Sequence, residues 1–341
     1  MANSTAAAAL PSLPPQAQLF ELAIGYWRTR AITVAAELEL ADHLADGPLH
    51  VDDLARRTNT HAPSLFRLLR ALESVDVFKQ VSPRVFANTS ISQCLRRKVT
   101  GSLWAFVRSR LSVGGGGFEA WTGLLGSVQT GKTAFDQIYG YNQWEFLRRN
   151  SASADLFNEA MRSTTSVETP AVTAAYDWSR FPLIVDIGGG IGTQLVDILN
   201  AHPSCKGILF DQPEVIARAI LHERMERVGG SFFQRVPTAA DAYILRFVIH
   251  DWGDEEAVAI LRTVRASAKA SSRVILIEQI IPDTPDYAIS KWADLHMMLA
   301  VGGKERSVSE YHQLLEKVGL ELEQVISTPT RFSLVVSHPR I

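Results

Sequence analysis

A strand followed at once by a glycine turn is the feature that most constrains the fold. Residues Leu183–Ile187 are apolar except for Asp186, and Gly188, Gly190 and Gly192 follow immediately. Such a turn opens a helix and presents backbone N–H groups to a ligand that approaches closely. The pattern lacks the third glycine of the dinucleotide fingerprint and the Gly-Lys-Ser/Thr of a P-loop. The turn therefore predicts a nucleotide-type ligand and disfavours phosphate chemistry.

Short β-branched runs alternate with helical segments from residue 181 onwards. The runs are LIVDI, GILFD, AYILRFVI, RVILIEQ, LELEQVIS and RFSLVVSH. This alternation predicts an α/β domain over 181–341 with a Rossmann-like, doubly wound sheet. The last two runs follow one another without a helix, so we expect the sheet to end in an antiparallel hairpin.

The preceding part of the chain is helical. Residues 1–16 are small, proline-containing and almost uncharged, which predicts a disordered tail. Apolar residues recur at helical spacing from 19 to about 45, which indicates two helices. Helices over about 51–57 and 63–75, followed by a hairpin of VFKQ and RVFANT, give residues 17–100 a winged-helix outline. Residues 101–180 carry further helices and are expected to form a helical linker and a substrate lid.

The winged-helix outline raises the hypothesis of a DNA-binding regulator, whose second helix would enter a major groove. Apolar side chains cover most of that helix, and Arg67 and Arg70 are its only basic residues. The first 100 residues contain 11 Lys and Arg against 9 Asp and Glu, and the whole chain has a net charge of −2. A basic footprint is absent. We therefore predict a packing or dimerisation role and no nucleic-acid partner.

Two cysteines, Cys94 and Cys205, are too few for a disulfide framework or a structural zinc site. No apolar run reaches the roughly 18 residues of a membrane span, and the N-terminal segment lacks the features of a signal peptide. We expect a cytoplasmic protein with no membrane partner.

An acidic residue closes the second run of the α/β part. Asp211 lies 25 residues after Asp186, where a doubly wound fold places a carboxylate that binds ribose hydroxyls. An Asp in this place also caps a following helix. The glycine turn upstream favours the ribose interpretation.

Residues from about 19 to 337 resemble the class I S-adenosylmethionine (SAM)-dependent small-molecule O-methyltransferases of the caffeate, acetylserotonin and bacterial natural-product type. The motifs that carry the resemblance, in the family's order and spacing, are VDIGGGIG (185–192), FDQPEVI (210–216), LRFVIHDWGDEEAVAILR (245–262), VILIEQIIP (274–282) and GGKERS (302–307). The resemblance implies a winged-helix dimerisation domain joined to a SAM-binding domain, a homodimer, and S-adenosylhomocysteine as the product of the donor.

The resemblance also implies cofactor-binding residues. Gly188 would lie against the methionine part of SAM, with Gly190 in the same turn, and Asp211 would hold the ribose. Arg246 occupies the place of a lysine that contacts the carboxylate region of the cofactor.

One position departs from the family pattern. Where the family has an Asp for the adenine amine, this chain reads Gly230-Ser231-Phe232. A serine hydroxyl carries no charge, so we expect Ser231 to make a weaker contact and Phe232 to pack on the adenine ring.

The predicted catalytic base is His250, which follows the run AYILRFVI at the carboxyl end of the sheet, where open α/β folds bind ligands. An imidazole with a pKa near 6.5 is largely unprotonated at neutral pH and accepts a proton from an attacking hydroxyl, for which a phenol is well suited. A lone histidine here also fits a capping or core-edge role. The resemblance places Glu278 and Glu305 beside it, and a carboxylate bonded to Nδ1 would fix its tautomer.

Metal-dependent methyl transfer is the alternative mechanism, and the acidic residues at 251 and 254–256 raise it. We interpret this group as the start of a helix, where carboxylates complement the macrodipole, and we predict no metal site. Asp251 is expected to orient the substrate or to cap that helix.

For the substrate pocket, the resemblance points to two sets of residues. They are Trp144, Phe157, Asn158 and Met161 on one side, and Asp251, Asp294, Met297 and Met298 on the other. Phe157 and Met161 are four residues apart and share a helical face, a spacing that is also typical of core packing.

The predicted function is SAM-dependent methylation of a phenolic hydroxyl on an aromatic or polyketide-like secondary metabolite. The alternatives are SAM-assisted hydroxylation, decarboxylation or pericyclic chemistry, for which Ser231 is the motivation, and a winged-helix regulator. A protein that does not deprotonate a nucleophile has no evident need for His250, Glu278 and Glu305, which favours methylation.

Overall fold

The computed structural model describes residues 13–340, which form two compact units. One unit comprises the described residues up to Thr122 together with 138–167, and the other comprises 123–137 and the residues from Glu168 onwards. The region 101–180, expected as one linker, is thus shared between the units. Residues 1–12 of the expected tail lie outside the described residues, and the first helix begins at Pro15.

The helices are α1 (Pro15–Ala23), α2 (Gly25–Glu37), α3 (Leu40–His43), α4 (Val51–Thr58), α5 (Ala62–Glu73), α6 (Ser90–Gln93), α7 (Trp104–Leu111), α8 (Gly117–Thr122), α9 (Leu124–Thr130), α10 (Ala134–Tyr139), α11 (Gln143–Arg149), α12 (Ser151–Ala174), α13 (Thr193–Ala201), α14 (Pro213–Ile216), α15 (Asp254–Ser267), α16 (Ile289–Ala300) and α17 (Val308–Glu316). The strands are β1 (Leu49–His50), β2 (Phe78–Ser82), β3 (Val85–Asn88), β4 (Leu183–Ile187), β5 (Lys206–Asp211), β6 (Met225–Gly229), β7 (Ala242–Arg246), β8 (Arg273–Gln279), β9 (Leu320–Ser327) and β10 (Phe332–Pro339). Among residues 13–340, no helix is both long enough and apolar enough to cross a membrane.

The winged-helix outline of the first unit is present. Helices α4 and α5 lie between β1 and β2 of a small antiparallel sheet of order β1-β3-β2, and α4 ends where Asn59 adopts a left-handed φ of 50°. The apolar face of α5 is internal, since Leu65, Leu69 and Leu72 are at most 3% exposed. The prediction of two helices over 19–45 was wrong: α1, α2 and α3 occupy this part, because Glu39 adopts a left-handed φ of 51° and interrupts the helical path.

The second unit is built on a seven-stranded sheet of order β6-β5-β4-β7-β8-β10-β9. Strands β4 to β8 pair in parallel, and β10 runs antiparallel to both β8 and β9. The doubly wound sheet and its terminal hairpin are therefore confirmed. Strand β6 was not predicted, because it lies at the sheet edge and its exposed Glu226 and Arg227 break the apolar pattern.

Alternate residues of the central strands face opposite sides of this sheet. In β7, Tyr243 and Leu245 pack in one buried cluster and Ile244 packs in the other. Because the strands are parallel, their carboxyl ends meet at one edge. The residues that follow β4, β5, β7 and β8 are therefore brought close to one another.

Candidate active site

The glycine turn after β4 is closed by Asp211 at the end of β5. The Gly190 N–H donates to Asp211 Oδ2 at 2.8 Å, and the Gln212 N–H donates to Oδ1 at 2.7 Å. Burial raises the pKa of Asp211, and these two backbone donors oppose that shift. Each carboxylate oxygen still has a lone pair for a further donor such as a ribose hydroxyl.

Two glycines of the turn are required by close packing. A Cβ at Gly189 would lie 2.6 Å from the Asp186 carboxyl group, and one at Gly188 would lie 2.7 Å from Val248 Cγ2. Gly190 is different: its φ is +60°, and no described atom lies within 4 Å of the Cβ position. The backbone at Gly190 is therefore open to a ligand.

Arg246, at the end of β7, is a buried guanidinium with spare donors. Its Nη1 donates to Thr169 Oγ1 at 2.7 Å and to Gln194 Oε1 at 2.6 Å. Its Nε and Nη2 have no partner within residues 13–340. Burial lowers the pKa of Arg246 to about 10. Because buried donors without acceptors are costly, these nitrogens fit an acidic group on a ligand.

Ser231 lies in the loop that follows β6. Its Oγ accepts a long hydrogen bond of 3.4 Å from the Phe233 N–H. The neighbouring Phe232 ring packs edge-on against Trp252, with centroids 6.0 Å apart. The structure thus places an aromatic wall where the adenine contact was expected.

His250, Glu278 and Glu305 come together at the carboxyl edge of the sheet. His250 follows β7 in a short 3₁₀ turn (Ile249–Asp251) and is only 7% exposed. Its Nδ1 lies 3.0 Å from Glu305 Oε1, and its Nε2 lies 3.4 Å from Asp251 Oδ1. When Nδ1 carries the proton and donates a hydrogen bond to Glu305, the lone pair of Nε2 can accept a proton.

Glu278, at the end of β8, acts on the turn that carries the histidine. Its Oε1 accepts hydrogen bonds from the Val248 and Ile249 N–H groups at 3.2 and 3.0 Å. Oε2 of Glu278 and Oε2 of Glu305 are buried without a partner in the described part of the chain. Burial, with repulsion from Glu305 and Asp251, raises the pKa of Glu278 to about 8 against the opposing effect of His250.

The charge of this cluster changes the expected titration of the histidine. Burial alone would lower the pKa of His250, but the carboxylates of Asp251, Glu278 and Glu305 outweigh it and raise the pKa to about 9. In the ligand-free protein these groups favour the protonated imidazole, so we expect His250 to lose its proton at higher pH than an ordinary histidine does. Three neighbouring acidic groups stabilise the imidazolium.

A residue that sequence reasoning missed is Phe247, which lies between β7 and the histidine turn. Its ring stacks on the His250 imidazole, with centroids 4.2 Å apart and planes 2° from parallel. Its φ of 53° is in the left-handed region, which is costly for a bulky residue and occurs most often at functional sites. No sequence signal marks this conformation, because Phe247 continues the apolar pattern of the strand.

A metal ion would find candidate ligands in the same group. His250, Glu278 and Glu305 each offer one atom, all within 4.8 Å of one another. Two of these residues already contact each other, through His250 Nδ1 and Glu305 Oε1 at 3.0 Å. The acidic residues at 254–256 form the first turn of α15, as expected, and Asp254 pairs with Arg306.

The predicted substrate residues fall in both units. In the first, Trp144 packs edge-on against Phe157 with centroids 6.3 Å apart, Asn158 is exposed, and Met161 packs against the core. In the second, Met297 is buried and Met298 is half-buried on α16.

Two acidic residues of the substrate set serve the cluster around His250. Asp294 Oδ1 accepts a hydrogen bond from the Glu305 N–H at 3.0 Å. The N-cap of α15 is Gly253, and Asp251 lies beside the imidazole. Both carboxyl groups therefore help to define the surroundings of the histidine.

Comparisons with known proteins show which family the chain resembles. Residues 121–321 match the profile of an O-methyltransferase domain, and residues 20–98 match that of an O-methyltransferase dimerisation domain. The chain is 36% identical to a phenazine O-methyltransferase from Lysobacter antibioticus, over 96% of this chain and 97% of the relative. It is 32% identical to an 8-amino-8-demethylriboflavin N,N-dimethyltransferase from Streptomyces davaonensis, over 84% of this chain and 85% of the relative.

A solved structure of similar fold contains the methyl donor. It is that of NcsB1, an O-methyltransferase from neocarzinostatin biosynthesis, in complex with SAM and 2-hydroxy-5-methyl naphthoic acid. The TM-score is 0.79 at 31% identity, and the match covers 91% of this chain and 95% of that one. The open backbone at Gly190, the Asp211 carboxylate and the spare donors of Arg246 are compatible with such a ligand. On the extent of these matches, the chain belongs to the O-methyltransferase family, whose methyl donor is S-adenosylmethionine.

Proposed function

We propose that the protein methylates a phenolic hydroxyl of an aromatic or polyketide-like secondary metabolite, with His250 as the general base. The observation that carries this proposal is the buried pair of His250 Nδ1 and Glu305 Oε1, 3.0 Å apart. It lies at the sheet edge where this fold class binds its ligands. Apart from the serine at 231, nothing in the described residues favours non-methylating chemistry, and nothing in them favours DNA-binding regulation.

His250 acts by removing the proton of the acceptor hydroxyl. SAM supplies an electrophilic methyl group on a positively charged sulfur. With Nδ1 directed to Glu305, the imidazole accepts the acceptor's proton at Nε2. The Glu305 carboxylate then stabilises the imidazolium, and Glu278 holds the 248–249 backbone in place.

The residues that would hold the donor are those at the glycine turn and the neighbouring strand ends. Asp211 would bind the ribose, and the backbone at Gly188 and Gly190 would allow the donor to approach closely. Arg246 would donate hydrogen bonds to the carboxylate of the methionine part. Ser231 and Phe232 would border the adenine.

For the acceptor, we propose both substrate sets. The proposed apolar contacts are Trp144, Phe157 and Met161 in the first unit, and Met297 and Met298 in the second. Asn158, Asp251 and Asp294 would orient its polar groups. Methionine in such a wall tolerates rings of different shape.

The proposed reaction predicts label transfer to oxygen. Incubation with SAM carrying a ¹³C-methyl group and a panel of hydroxylated benzoates, naphthoates and phenazines should give O-methyl products, identified by mass spectrometry and NMR. The panel should include the corresponding aromatic amines, because one relative is an N,N-dimethyltransferase. Label on amines alone would contradict a hydroxyl acceptor.

We further propose a homodimer formed through the first unit. Its helices α1 and α2 expose large apolar side chains: Leu19, Phe20, Leu22, Tyr26 and Trp27 are 54–73% exposed. An apolar surface of this kind marks an interaction site. Sedimentation equilibrium at micromolar concentration should give twice the 37.6 kDa of one chain. A mass of one chain under these conditions would be incompatible with a stable dimer.

A further inference from the structure

Arg306 is a fully buried cation next to Glu305 that the proposed reaction does not use. Its exposure is 0%, and a buried charge is costly unless it is paired and hydrogen-bonded. Its guanidinium makes five hydrogen bonds, which match its five N–H groups. The residue is therefore held in one orientation.

The acceptors of these bonds lie on both sides of His250. Nη1 donates to the Ile249 carbonyl at 3.2 Å, and Nη2 donates to the Trp252 carbonyl at 3.0 Å. Nε and Nη2 both donate to Asp254 Oδ1, at 3.0 and 2.8 Å. The guanidinium thus spans the loop 249–254 that contains the histidine.

The same residue reaches the segments that carry the two glutamates. Nη1 also donates to the Lys304 carbonyl, at 3.0 Å, directly before Glu305. The Arg306 carbonyl accepts from the Ile281 N–H at 3.0 Å, just beyond Glu278 at the end of β8. All three segments of the cluster therefore meet at one side chain and its backbone.

We propose that Arg306 is a positioning residue for methyl transfer: with Asp254 as its counter-ion, it fixes the distance and orientation between His250 and Glu305. We refer to Arg306 and its acceptors at 249, 252, 254 and 304 as the Arg306 clamp. The inference rests on the proposed function, in which His250 is the base. The positioning role of Arg306 concerns only how His250 is held, so it can be wrong while the proposed function is correct.

A lysine cannot replace this guanidinium. Its single nitrogen carries three N–H groups and cannot bridge acceptors that lie on different sides of a planar fork. Arg306→Lys retains the positive charge but loses part of the clamp. An effect of this substitution on His250 would therefore arise from geometry and not from the loss of a charge.

Asp254 allows the clamp to be tested from the surface. Its side chain is 49% exposed, so Asp254→Ala leaves no cavity in the core, although it removes the counter-ion of the buried Arg306. The melting temperature is therefore measured beside the rate. Glu255→Ala is the matched control, because it removes a neighbouring exposed acid from the same first turn of α15. Both variants lose one negative charge near the start of that helix.

The first measurement is the titration of the His250 imidazole, followed by NMR in the SAM-free protein. The charged groups beside it are Asp251, Glu278 and Glu305, and all three remain in these variants. We expect a lower titration midpoint for Asp254→Ala and Arg306→Lys, because a displaced Glu305 stabilises the imidazolium less. Glu255→Ala should titrate as the wild type does.

The second measurement is single-turnover methyl transfer to the best acceptor of the panel. A small displacement of a catalytic group costs up to roughly 100-fold in rate. We expect Asp254→Ala to be about 10- to 100-fold slower than Glu255→Ala, with unchanged SAM affinity by calorimetry.

The outcomes separate the two proposals. A lower melting temperature for Asp254→Ala and Arg306→Lys, with His250 titration and rate equal to those of the control, would show that the clamp serves stability only. If His250→Ala transfers methyl at the wild-type rate, the base assignment fails, whatever the titration shows. A shifted titration in both clamp variants supports the positioning role independently of the acceptor.

Discussion

His250→Ala is expected to slow single-turnover methyl transfer by about 10²–10⁴-fold, the usual contribution of a general base. SAM affinity should change little, because the imidazole is proposed to act on the acceptor. The melting temperature should fall, because the buried Glu278 and Glu305 lose their neighbouring cation. His312→Ala is a matched control, since it removes an exposed imidazole from the same unit. Equal rates for His250→Ala and the control, on an acceptor with an unactivated hydroxyl, would exclude His250 as the base.

The pH dependence of the same reaction gives a second test of the base. His250 must lose its proton to act, so the rate should rise with pH through its titration. Its surrounding carboxylates raise the pKa to about 9 in the ligand-free protein, which places the midpoint above the ordinary value near 6.5. The charge of the sulfonium opposes this shift when SAM is bound. Glu305→Gln removes one of the carboxylates and should move the midpoint to lower pH.

Asp211→Ala is expected to weaken SAM binding by roughly 1–3 kcal/mol, about 5- to 150-fold in Kd. The substitution removes the proposed ribose acceptor and also releases the N–H groups of Gly190 and Gln212. Isothermal titration calorimetry measures the change directly.

The control for this effect is Glu214→Ala. Glu214 is an exposed acid in the first turn of α14, three residues further along the chain. It should bind SAM as the wild type does. Unchanged SAM affinity in Asp211→Ala would contradict the proposal that Asp211 binds the ribose. It would also contradict the interpretation of the glycine turn as part of the SAM site.

Periodicity predicted most of the architecture, because it reports directly on burial. The strands β4, β5, β7, β8 and β10 were found from apolar runs that the structure largely buries in the sheet. The edge strand β6 was missed because its exposed residues Glu226 and Arg227 are charged and interrupt the apolar pattern. The left-handed residues Glu39 and Phe247 were missed because positive φ values at these residue types leave no pattern in a sequence.

The sequence predicted which residues form the candidate site better than it predicted their charge states and supporting contacts. Motif positions identified His250, Glu278 and Glu305, which the structure brings together. The raised pKa of His250 could not be predicted from the motifs, because it depends on how many acidic groups surround one buried ring in the folded state. The role of Arg306 could not be predicted from the motif GGKERS, because it arises from contacts with a loop more than 50 positions earlier.

One close backbone contact bears on how binding energy is used. A Cβ at Gly303 would lie 2.1 Å from the His250 carbonyl oxygen, and the Lys304 N–H donates to that same oxygen at 2.8 Å. This contact joins main chain to main chain, so no side-chain torsion can adjust it. His250 and Glu305 are therefore already held together before any ligand binds. Preorganisation of this kind spares the reaction the cost of building its own site. The free energy of acceptor binding is then not needed to assemble this pair, so it can discriminate between acceptors. A change of acceptor specificity need not affect the proposed proton transfer.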